Sequence, residues 1–290
     1  MSVERLQEKI RKLKSPLACT LDFNKQTVPA SVLESAGSAT DGYIQYCKQL
    51  FEALKDSVAA IRFQFNAFVL HGADGVYALE LLCNCAKEHG YYVFMDIAEP
   101  LSAQAAQQTA DYLFSEDCKW YFDGLITTAY TGSDCIRPFA EKLKENKKTL
   151  FVVARTANRS AAEIQDLLTG SRLVHVAKTD IVNRFAETMV GKTGYSQIGV
   201  VASASSADSL RTLRNKYQNM FFLLDGYDYP NANAKNCSYA FDKLGHGAIA
   251  CVGSSVVDAW QMDDHTDYIS QAVAEAERLK KNLTRYVTIL

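Results

Sequence analysis

Short apolar runs alternate along the chain with longer segments whose apolar residues recur every three or four positions, the pattern of βα units around a parallel sheet. The runs fall at residues 17–22, 59–65, 91–96, 124–128, 149–155, 198–202, 220–225 and 248–254, and they predict eight strands. Helical patterns lie between them at 75–88, 103–114, 135–145, 174–188 and 208–217. A long final helix is expected to begin near Val257, and an N-terminal helix to cover about 2–14. No Gly/Ser/Pro-rich linker or charge run divides the 290 residues, so the expectation is one domain over 1–290, an α/β chain folded as a (β/α)8 TIM barrel. The competing arrangement is an open doubly wound sheet.

A barrel of this kind works at the C-terminal ends of its strands, so its mouth can be read from the sequence. In order the strand ends supply Asp22, Arg62 with Gln64, Asp96 with Glu99, Thr127 with Thr128, and Arg155 with Thr156 and Asn158. Ser203, Asp225 with Asp228, and Ser254 with Ser255 follow. Strand ends meet solvent and are polar for that reason too; the set argues for a ligand-binding mouth more than any one residue does.

Composition narrows the partners. With 48% hydrophobic and 22% charged residues the chain is globular in character, and a net charge of -2 offers no general attraction to nucleic acid or anionic lipid. No run approaches the ~18 apolar residues of a membrane helix, and the charged N-terminal segment does not read as a signal core, so a cytoplasmic protein is expected. The eight cysteines are scattered and read as reduced thiols; Cys83 and Cys85, two apart on a helix, lack further ligands at zinc spacing. Asp263, Asp264, His265 and Asp267 read as a polar turn or helix face, Trp120, Tyr121 and Phe122 as packing beneath the fourth strand, and His71 as shaping a turn. No metal site and no cofactor are expected.

Several segments carry a resemblance. SPLACTLD at 15–22, HGADGVYALELL at 71–82, DIAEPL from Asp96, RTAN at 155–158 and AEIQDL at 162–167 resemble the longer, bacterial type of orotidine 5′-phosphate decarboxylase. Their order and spacing cover nearly the whole chain. The resemblance implies a (β/α)8 barrel, usually dimeric with sites at the subunit interface, that makes UMP from OMP in pyrimidine biosynthesis. It implies Asp22, Arg62 and Asp96 as the positions of catalytic residues.

The same comparison exposes departures. The family's chemistry rests on an Asp-x-Lys-x-x-Asp motif after the third strand, whose lysine supplies the proton to the carbon losing CO₂. Asp96 matches the first position, but the lysine position is Ala98 and the last aspartate position is Leu101. A lysine near the end of the second strand is replaced by Arg62, a planar and much poorer acid. The fifth-strand Thr-Ser-Asn-Pro becomes Thr156-Ala157-Asn158-Arg159. The seventh-strand loop, Asp225-Gly226-Tyr227-Asp228-Tyr229-Pro230, makes a poor phosphate cradle, because its carboxylates repel an anion. After the eighth strand, Gly253-Ser254-Ser255 is kept, but the phosphate-clamping arginine position is Val256.

These departures predict a family member that has lost decarboxylase activity and serves as a regulatory or partner subunit, either as a homodimer or as a heterodimer with an active paralogue. A nucleotide-like small molecule remains a candidate ligand, with Glu99, Arg155, Thr156, Asn158, Asp225, Asp228, Ser254 and Ser255 as the residues to meet it. Two alternatives stay open. One is an active decarboxylase with relocated residues; the other is a barrel enzyme that uses Asp22, Asp96, Glu99, Asp225 and Asp228 as acid/base groups or as ligands for a hard cation such as Mg²⁺.

Overall fold

The computed structural model describes residues 2–97, 100–262 and 267–290. Eight parallel strands close into a barrel: β1 Leu17–Leu21, β2 Ala60–Gln64, β3 Tyr92–Asp96, β4 Gly124–Thr127, β5 Thr149–Val153, β6 Ile198–Ser203, β7 Phe222–Asp225 and β8 Ala248–Val252. They run in chain order around the ring, and β8 pairs with β1 through Leu17 and Ala250 to shut it. The expected strands are all present, in a single-domain (β/α)8 arrangement. Helices lie between strands at Ala39–Leu54, Gly72–Glu88, Ala103–Leu113, Arg137–Leu143, Val174–Ala186 and Ala207–Lys216.

The chain departs from the sequence reading in its final segment. A one-turn helix, Ser254–Val257, leads into a 3-10 turn at Ala259–Met262, and the C-terminal helix is Tyr268–Thr284. The side chain of Asp267, which the sequence placed in a polar turn or helix face, caps that helix by accepting from the N–H of Ser270 at 3.0 Å. Asp263, Asp264 and His265 lie outside the described residues.

Registry decides what fills the barrel. Thr20, Arg62 and Phe94 are in register across β1, β2 and β3, so with a period of two each strand sends every second residue inward. Tyr92, Phe94, Phe151 and Phe221 form a chain of rings with centroids 4.9, 5.4 and 6.2 Å apart. Space for them comes from glycine. A Cβ on Gly124 would stand 2.6 Å from Thr149 Oγ1 and 2.9 Å from the Phe94 ring, and one on Gly199 would stand 2.3 Å from the Phe221 carbonyl oxygen. The barrel is therefore solid up to the level of Arg62.

The N-terminal helix, Ser2–Leu13, closes the opposite end. Its Val3, Leu6 and Ile10 recur at helical spacing and are fully buried. Ser2 Oγ lies 2.8 Å from the Tyr92 hydroxyl, which lies 2.7 Å from Thr149 Oγ1.

Candidate functional site

At the mouth, Arg62 is the central side chain. It leaves the inner face of β2 between Thr20 and Phe94 and is 8% exposed. Its Nε donates to Asp96 Oδ2 at 3.0 Å on neighbouring β3, its Nη2 also bonds that carboxylate, and its Nη1 reaches across the barrel to Asp225 Oδ1 on β7 at 2.7 Å. Burial works against the guanidinium's charge, but Asp96, Cys251 and Asp225 outweigh it, so the Arg62 pKa rises above its ordinary value. Burial pushes the Asp96 carboxyl up, with Asp225 adding to that and Arg62 opposing it.

Above this group opens a cavity of ≈ 220 Å³. Asp22, Asp225, Asp228 and Asp258 line it with Thr20, Asn24, Gln64, Tyr229 and Ser254, and Arg62 is the one cation among its described lining residues. Four carboxylates thus face a guanidinium already shared between two. Asp258 Oδ1 is shielded from solvent and has no hydrogen-bond partner among the described residues. Burial, and then the charge of Asp22, push its pKa up to about 6.

The loop after β7 is held firmly. Gly226 adopts a left-handed φ of +71°, Tyr227 N–H donates to the Cys251 carbonyl at 3.0 Å, and the Tyr227 hydroxyl donates to the Leu279 carbonyl at 3.1 Å. That anchoring turns Asp228 toward the loop after β8. Its Oδ2 accepts from Gly253 N–H at 2.8 Å, Ser255 Oγ at 3.0 Å and Ser255 N–H at 3.4 Å.

The residues expected at the fifth strand end form a network of their own. Arg155 makes a bidentate pair with Asp166, at 2.9 and 2.8 Å. Thr156 N–H donates to Gln165 Oε1 at 2.8 Å, and Asn158 Nδ2 donates to Ser160 Oγ at 2.8 Å. None of Arg155, Thr156 and Asn158 lines the cavity. The structure thus brings Asp22, Arg62, Asp225, Asp228 and Ser254 to one cavity, with Asp96 reaching it through Arg62 and Ser255 through Asp228. Glu99 and Ala98 lie outside the described residues.

Sequence reasoning did not single out Thr20, Asn24, Tyr229 or Asp258. Thr20 could have been found from the inward alternation of β1; Asp258 was hidden because it fell inside the expected final helix. Among the described residues no three His, Cys, Asp or Glu side chains gather closely enough to hold a metal ion. No helix among them is long and apolar enough to cross a membrane. Every cysteine is free. His71 packs edge-on against Phe23, with centroids 4.6 Å apart, and Trp120 packs against Phe65 at 5.1 Å.

No family model matches the sequence. Individual relatives do, over the full chain. The orotidine 5′-phosphate decarboxylase of Caldicellulosiruptor bescii is 25% identical over 300 residues, covering 98% of each chain. That of Clostridium perfringens is 26% identical over 286 residues, again covering 98% of each. Among solved structures, the Leishmania donovani OMP decarboxylase superposes with a TM-score of 0.71 at 22% identity, covering 98% of this chain and 99% of that one, and so shares the fold. A Plasmodium berghei orotidine 5′-monophosphate decarboxylase does so with a TM-score of 0.79 at 12% identity and 98% coverage of each. From end to end, the chain is similar to bacterial orotidine 5′-phosphate decarboxylases, at 25% and 26% identity in these two.

Proposed function

We propose that this barrel no longer decarboxylates OMP and acts in pyrimidine synthesis as a partner subunit. One observation carries the reading: the single cation among the cavity's described lining residues, Arg62, is locked between Asp96 and Asp225 and is raised in pKa. Decarboxylation needs a proton for the carbon that loses CO₂. A guanidinium held charged by two carboxylates does not release one, and the lysine position of the family motif is alanine, Ala98. Losing a positioned general acid costs about 10²- to 10⁴-fold, and losing preorganised electrostatics about 10²- to 10³-fold more. The surplus of carboxylates around the cavity also opposes a substrate whose phosphate and carboxylate are both anionic.

The test is loss of OMP absorbance with purified protein at high enzyme concentration, beside an active relative. The expected rate is no greater than that of the Asp22→Ala variant; turnover clearly above that background would sink the proposal.

The partner role is supported by the rim. Leu70, Leu101 and Tyr130, on the loops after β2, β3 and β4, are 85%, 82% and 76% exposed at the same end of the barrel. Adjacent loops presenting large apolar side chains suit a second barrel of this family, another copy or an active paralogue. Co-expression with such a paralogue is expected to give a mixed dimer that Leu101→Asp weakens, and two separate species on size exclusion would count against it.

A further inference from the structure

We infer that Asp228 is an internal anion which closes the loop after β8 to external anions, so that the mouth selects against phosphate and takes an uncharged or cationic polar ligand. Backbone N–H groups that converge on one point form an anion-binding concavity. Here the N–H groups of Gly253 and Ser255 and the hydroxyl of Ser255 converge on one oxygen, Oδ2 of Asp228. The chain thus brings its own carboxylate to the place where a ligand oxygen would otherwise be received.

Two features make this more than a satisfied loop. The carboxylate arrives from a different strand, carried by a turn that Gly226 and the two hydrogen bonds of Tyr227 hold in place, so it is aimed by the fold. Room remains once it is gone: Asp228, Gly253 and Ser254 all line the cavity of ≈ 220 Å³, so the freed donors would face open space. Removing the side chain would leave three donors open to the cavity. The charge around them would still be negative from Asp22 and Asp258, while Asp225 is already paired with Arg62.

The inference rests on the reading that the mouth does not process a phosphorylated substrate, but the two fail separately: OMP turnover decides that reading, and phosphate binding by the variants decides this one. Inorganic phosphate is titrated into wild type, Asp228→Ala and Asp228→Asn, with sodium chloride at matched ionic strength as control, following melting temperature and binding heat. Wild type should show no saturable response. Asp228→Ala should gain one, about tenfold or more tighter than wild type, as expected for freeing charge-assisted donors. Asp228→Asn should stay closed, because its amide oxygen still accepts from Gly253. Wild type binding phosphate as tightly as Asp228→Ala overturns the inference, as does an Asn variant that gains as much as the Ala variant, or no gain in Asp228→Ala. Urea midpoints in phosphate-free buffer check that each variant is folded, and Asp228→Ser, equally too short to reach the loop, replaces the Ala variant should that one fail to fold.

Discussion

Each end of the barrel carries an arginine set against buried carboxylate, and the two ends use it differently. At the N-terminal end Arg5 pairs with Asp123, whose carboxylate also accepts from the Tyr121 hydroxyl at 2.7 Å and from Val93 N–H at 2.9 Å. The N-terminal helix brings Arg5 to this carboxylate and covers its neighbours Ser2 and Tyr92, so the one buried carboxylate there is met by a cation, a hydroxyl and a backbone N–H. At the C-terminal end Arg62 faces two carboxylates directly, and Asp22, Asp228 and Asp258 surround the same cavity. The fold needs only the first arrangement. A barrel end built for stability satisfies its buried carboxylate, whereas the mouth keeps an excess of carboxylates and a shielded oxygen without a partner among the described residues, features that folding alone does not favour.

The largest effect is expected from removing Arg62. Arg62→Ala leaves Asp96 and Asp225 facing each other across a partly buried cavity with no cation between them. Breaking a buried ion pair from one side costs about 3–5 kcal/mol. At the other end, Asp123→Ala unpairs a buried N–H and a tyrosine hydroxyl while leaving the exposed Arg5 head in water, for which about 1–3 kcal/mol is expected. Urea unfolding of both variants at neutral pH measures the contrast. Equal losses, or a loss under about 1 kcal/mol at Arg62, would mean that water in the cavity already neutralises the mouth and that the two ends do not differ in kind.

What the sequence disclosed follows from how local each feature is. The strands were legible because burial on both faces of a parallel barrel produces continuous apolar runs between helical periods. The mouth was legible as a set of strand-end positions, and Arg62 stood out as a substituted lysine. That Arg62 joins Asp225, 163 residues away, follows only once the ring is closed through β1 and β8. Asp228 read as a charge repelling phosphate, and its hydrogen bonds to the β8 loop depend on a backbone turn that no spacing reveals. Arg155 was read as facing a ligand; its partner Asp166 lies eleven residues on, in a stretch where the chain gives no periodic signal. Asp258 was masked by a helix expected to begin one residue earlier, where the structure ends the one-turn helix Ser254–Val257 instead.

The smallest effect expected is also the most specific to the mouth. The Asp258 carboxyl has a folded pKa of about 6, above the ~3.9 of an unfolded aspartate, because burial and the charge of Asp22 disfavour its ionised form. Between those two values the folded chain holds more proton than the unfolded one, so this group makes stability fall as pH rises through the window. Below about pH 4 the neutral acid carries no penalty; above about pH 6 the penalty is complete. Asp258→Asn keeps the shape without the charge, so it should match wild type at pH 4 and exceed it at pH 7.5 by about 1 kcal/mol, after allowance for solvent screening at a partly exposed side chain. Paired urea titrations at the two pH values read the difference. A gain that is the same at both would show that the carboxylate is already solvated, and the unpartnered oxygen would cease to distinguish the mouth from the floor. A gain that appears only at the higher pH would show a mouth carboxylate that lowers the stability of the fold, the opposite of the role of Asp123 beneath the barrel.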